Sequence, residues 1–96
     1  MAKAVKRVKT AFEEIGITMS PVDLLKAKVA AAISRHVQDA GMTQVEAAQA
    51  LGIDQPKVSK LLRGRLDDFS LDRLIGYATT LGHGVDLHVN KPRKFA

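Results

Sequence analysis

The chain has 96 residues, enough for one domain with a single modest core and too few for two. Lys and Arg number 15 against 10 Asp and Glu, a net charge of +5, which favours a polyanionic partner such as nucleic acid. The absence of cysteine excludes disulfides and thiolate metal sites. No stretch approaches the roughly 20 apolar residues of a membrane span, and the basic start lacks the apolar run of a secretion signal, so the expectation is a cytoplasmic protein.

In chain order, residues 1–11 form a basic segment carrying Lys3, Lys6, Arg7 and Lys9. Val5, Val8, Phe12 and Ile15 fall at helical spacing before Gly16, so this region reads either as a short helix or as a partly ordered arm. A helix start follows at Ser20-Pro21-Val22-Asp23, where Ser20 caps, Pro21 suits the first helical position and Asp23 faces the free amides. A long helix is expected over residues 21–40. Val22, Leu25, Val29, Ile33 and Val37 make its buried stripe, and Gly41 stands at its end.

Residues 43–64, TQVEAAQALGIDQPKVSKLLRG, read as two short helices joined by a tight turn, a shape that enters the DNA major groove. Thr43 caps the first helix, which begins with Gln44 and ends near Leu51, and Gly52 supplies the turn. Ala48 is small enough to let the helices approach, and Val45, Leu51, Ile53, Val58 and Leu61 are expected to fill the space between them. Asp54 caps the second helix, which tolerates Pro56 in its first turn and begins near Gln55.

On that second helix Val58, Leu61 and Leu62 point inward. At 100° per residue Pro56, Ser59, Lys60 and Arg63 then point outward, with Gln55 and Lys57 on the flanks. Lys57, Lys60, Arg63 and Arg65 concentrate positive charge in residues 55–66, with no acid among them. Arg and Lys pair with guanine O6 and N7, Gln pairs bidentately with adenine, and Ser serves either role. Gln55, Lys57 and Ser59 are therefore the candidate base readers, Arg63 and Arg65 the candidate phosphate contacts, and Lys60 suits both. Thr43, at the start of the first helix, completes the candidate DNA-contacting set.

Ser70 begins a further helix, with Leu71, Leu74, Ile75, Ala78 and Leu81 on one face and Gly82 at its end. Residues 85–89 then alternate apolar and polar side chains, as a strand with one buried face does. Within the chain the only available mate is the weak segment Ile17-Thr18-Met19. An unpaired strand leaves its backbone groups unsatisfied, so residues 85–89 are expected to pair with their own copy through Val85, Leu87 and Val89 and make a two-fold dimer. Residues 12–89 thus form the domain and residues 90–96 a basic tail.

An enzyme reading would begin with His36, His83 and His88, none of which forms a metal-ligand or catalytic pair in the sequence, so surface or interface packing is expected of them. The carboxylate pairs Glu13-Glu14 and Asp67-Asp68 are adjacent in sequence and point apart on a helix. No glycine-rich phosphate loop occurs. The residues indicate a non-enzyme without cofactor or metal.

Gln44, Ala48, Gly52, Val58 and Leu61 resemble the helix-turn-helix pattern of phage-repressor-like regulators, the XRE family. Phe12-Glu13-Glu14-Ile15-Gly16, Gln55-Pro56-Lys57-Val58-Ser59 and Phe69-Ser70-Leu71-Asp72-Arg73-Leu74 are similar to the HigA-type antitoxin branch, and the likeness spans residues 12–89. The resemblance implies an all-α, lambda-repressor-like domain of four to five helices. It implies a homodimer that binds a palindromic operator in double-stranded DNA, and often a RelE-like ribonuclease toxin as partner. By position, Gln44 would touch a phosphate, and Gln55, Lys57, Ser59 and Lys60 would lie in the major groove. The chain departs from the family at Asp54, where Ser or Thr is usual, which sets a carboxylate close to the expected DNA backbone. A stand-alone regulator and a helical protein adaptor stay as alternatives.

Overall fold

The computed structural model describes residues 19–92. It is all-α there, with four helices: α1 (Pro21–Asp39), α2 (Gln44–Leu51), α3 (Gln55–Leu62) and α4 (Leu71–Thr80). Each helix starts on a side chain that accepts from the amide three residues on. Ser20 takes the Asp23 amide at 3.1 Å, Thr43 that of Glu46 at 3.1 Å, Asp54 that of Lys57 at 2.9 Å and Ser70 that of Arg73 at 3.2 Å. At α2 the bond is reciprocated, since the Thr43 amide donates to Glu46 Oε1 at 2.8 Å and completes a capping box. Hydrogen bonding to the carboxylate holds Glu46 below the usual glutamate range, the Thr43 amide being the largest cause and the Thr43 side chain the second.

Helices α1, α3 and α4 also end alike. In each, two amides just past the end fold back onto the last turn: Gly41 to Gln38 and Met42 to Val37, Gly64 to Leu61 and Arg65 to Lys60, Gly82 to Thr79 and His83 to Ala78. This double closure satisfies carbonyls that would otherwise lack donors and turns the chain sharply toward the next element.

Helix α1 packs against α4 and α3, and α2 packs against α3 and α4. The larger core cluster joins Ile33 of α1, Leu51 of α2, Leu61 of α3 and Leu74 and Tyr77 of α4 with Phe69 from the loop before α4. Phe69 and Tyr77 meet edge to face at 6.2 Å, a favoured aromatic geometry. The smaller cluster holds Val37, Ala47, Ala48 and Val58, and Ile53 in the turn packs against both. Burying a side chain such as Ile33 or Leu74 contributes about 1.5–3 kcal/mol, so the two clusters together clamp α3 from behind.

The structure corrects several expectations. Val45 does not fill the space between α2 and α3; it is 50% exposed, and Ala47, wholly buried, takes that position. Val22 is exposed at the first turn of α1, whose buried stripe is Ala30, Ile33 and Val37. Residues 85–89 form no strand within the chain: among the described residues there is none, and Val85, Leu87 and Val89 lie exposed. The segment with Val5, Val8, Phe12 and Ile15, and the proposed mate at residues 17 and 18, lie outside the described residues. No helix among the described residues is long and apolar enough to cross a membrane.

Candidate nucleic-acid interface

The interface is built on the turn between α2 and α3. Gly52 takes φ +69°, a left-handed conformation that costs an L side chain strain and a glycine nothing, and the Ile53 amide closes onto the Ala48 carbonyl at 3.1 Å. Asp54 then caps α3 two residues later. The reversal leaves Ala47 and Ala48 against Val58, where side chains no larger than methyl let the two backbones close together.

With Val58 and Leu61 fully buried, the register of α3 is fixed and its opposite side is set toward solvent. Gln55, Pro56, Lys57, Lys60 and Arg63 are exposed and Ser59 is partly so. At the far end Gly64, at φ +77°, turns the chain so that Arg65 follows directly on the same end of the helix, also exposed. Thr43 and Gln44 are exposed at the start of α2. A short helix with a rigid apolar back and a polar, donor-rich front is a shape suited to a major groove.

A family model described as "Helix-turn-helix domain" matches residues 11–90. A solved structure that carries an XRE-family transcriptional-regulator name is 33% identical, with 76% of this chain and 82% of that one covered and a TM-score of 0.69. The chain belongs to the XRE family of helix-turn-helix regulators. No curated protein matches it. As an XRE-family protein it is a DNA-binding transcriptional regulator of a non-catalytic kind.

Within this XRE-family site, two contacts join side chains that stand apart in the sequence. Arg63 Nη2 donates to Ser59 Oγ at 2.9 Å one turn back along α3. Ser59 keeps its own hydroxyl proton for an outside acceptor, while Arg63 is drawn along the helix surface with donors to spare. Lys60 Nζ donates to Asp68 Oδ2 at 3.0 Å. Residues 55–66 carry no acid of their own, but Asp68 reaches the front of α3 from the loop that follows. Nothing local in the sequence signals a pair that spans that loop. Thr43 is likewise engaged, its hydroxyl and amide both serving the capping box with Glu46.

His36 of α1 and His83, just past α4, also come together. His36 Nδ1 and His83 Nε2 share a hydrogen bond of 2.9 Å, with the rings edge-on at 5.0 Å. Arg35 and Asp39 line the same hollow, and no cluster of three or more metal-ligating side chains occurs among the described residues. The pair is a packing contact that ties the beginning of the C-terminal segment to α1.

Proposed function

We propose that this XRE-family protein is a sequence-specific repressor that binds a palindromic operator in double-stranded DNA as a homodimer, and that it is an antitoxin repressing its own promoter. The observation that carries DNA recognition is the row of exposed Gln55, Lys57, Lys60 and Arg63 and partly exposed Ser59 on a helix whose other side is locked by Val58 and Leu61. In this reading Gln55, Lys57 and Ser59 read base edges, and Thr43, Gln44, Arg63 and Arg65 meet phosphates that set the register. Lys60 reaches either.

One short helix reads too few base pairs to find a single operator, so a second copy is needed. Exposed Val85, Leu87 and Val89 support pairing of residues 85–89 with their counterpart across a two-fold axis. Two copies of α3 would then lie about one DNA turn apart, roughly 34 Å. The antitoxin role draws on the segments Gln55-Pro56-Lys57-Val58-Ser59 and Phe69-Ser70-Leu71-Asp72-Arg73-Leu74, which resemble that branch of the family; its partner would be a RelE-like ribonuclease.

An electrophoretic shift assay with the DNA upstream of the protein's own coding sequence tests the repressor reading. Preferential binding to that DNA over unrelated duplex of equal length is expected, and equal retention of both would contradict it. Co-purification with the product of the adjacent reading frame, and rescue of growth when both are expressed, are the results expected of an antitoxin. A regulator with no such partner would bind the same DNA and fail both.

A further inference from the structure

Lys60 stands on the outward side of α3, yet its ammonium rests on a carboxylate of the protein itself. The placement of that carboxylate is not left to a free loop. Past α3 the Arg65 amide closes onto the Lys60 carbonyl at 2.9 Å, Leu66 packs against the core, and the Phe69 amide closes onto the Leu66 carbonyl at 3.0 Å with Phe69 buried. Asp68 lies between these two anchors, so its backbone is held beside the last turns of α3. Both members of the pair are solvent-exposed, the Lys60 side chain by 50% and that of Asp68 by 70%. The neighbouring Asp67 is exposed as well and has no ion pair among the described residues.

We propose that Asp68 is a positioning residue for DNA recognition, holding Lys60 on the protein until a DNA oxygen displaces it and thereby lowering the affinity for DNA. The inference rests on the DNA-binding reading of α3. Exposed ion pairs are weak, so a phosphate or base acceptor displaces Asp68 readily. The displaced carboxylate nevertheless stays near the polyanion. Affinity from phosphate contacts scales with the number of cations that neutralise them, and Asp68 subtracts one while the pair is closed. Sequence-independent binding depends wholly on such contacts, so Asp68 limits it.

The test is fluorescence-anisotropy titration of upstream and unrelated duplex with the full chain, for wild type, Asp68→Asn, Lys60→Ala, the double variant, and Asp67→Asn as a control with the same charge change. Circular dichroism checks that each variant is folded. Asp68→Asn is expected to tighten binding to both duplexes by about two- to five-fold, the range an exposed pair of this kind commands, with the gain largest at low salt, where exposed charges are least screened. Most of that gain should vanish when Lys60 is Ala, and Asp67→Asn should produce less than half of it. An unchanged affinity in Asp68→Asn with wild type still binding, or an equal gain with and without Lys60, would overturn the inference alone. Failure of every form, wild type included, to bind either duplex would overturn the DNA-binding reading and this inference with it.

Discussion

At the residue scale the helix starts carry most of the local specification. Thr43 is the most engaged of them, since its hydroxyl and amide both bond within the capping box. Thr43→Ala is expected to destabilise the fold by about 1 kcal/mol, measured by urea denaturation. Glu46 adds a pH dependence. Its carboxyl is held below the usual range in the folded chain, so the stabilisation is present above the ordinary glutamate value and fades as pH falls through the lowered one. Thermal melts across that interval should therefore fall less in Glu46→Gln than in wild type; equal losses would show that the bond carries no linkage. Gly52 is tested differently. A Cβ there meets nothing within 4 Å, so Gly52→Ala isolates the cost of positive φ, about 1–2 kcal/mol, without a clash.

At the scale of elements, the caps explain why the four helices could be placed from the sequence. Ser20, Thr43, Asp54 and Ser70 are short side chains directly before helical periodicity, and Gly41, Gly52 and Gly82 follow it. All of that is local. Facing was harder to read. Val45 and Ala47 both suit an interhelical position by hydropathy, and only the close approach of α2 and α3 selects the smaller one. Phe69 and Tyr77 went unassigned because their burial depends on a loop meeting α4 across the core. The candidate site shows the same division: periodicity places Ser59, Lys60 and Arg63 outward with Gln55 and Lys57 on the flanks, while the Lys60–Asp68 pair depends on how the chain returns after Gly64. For α3 itself, Gln55→Ala is expected to relax base preference at one operator position while leaving binding to unrelated DNA nearly unchanged. Equal loss on all sequences would assign Gln55 to the backbone instead.

At the scale of the whole molecule, the C-terminal segment is the part the single chain leaves unexplained. Leu87 and Val89 are 73% and 80% exposed, while the His36–His83 contact anchors the point from which the segment departs. Exposed alternating side chains beyond a fixed anchor suit a strand completed by a second copy. Replacing Leu87 and Val89 with Asp should shift the protein to monomer in sedimentation equilibrium at micromolar concentration, with circular dichroism unchanged and operator affinity lowered by at least ten-fold. A wild-type protein that is already monomeric would remove the two-fold arrangement.

The central claim is that α3 presents its cations to DNA, and the salt dependence of binding tests it most directly. Dissociation constants for the upstream duplex should weaken steeply with salt, log affinity falling against log salt by about 0.9 for each phosphate contacted. Arg63→Ala should make that slope shallower by about one contact. A slope near zero, or one unchanged by Arg63→Ala, would contradict the account.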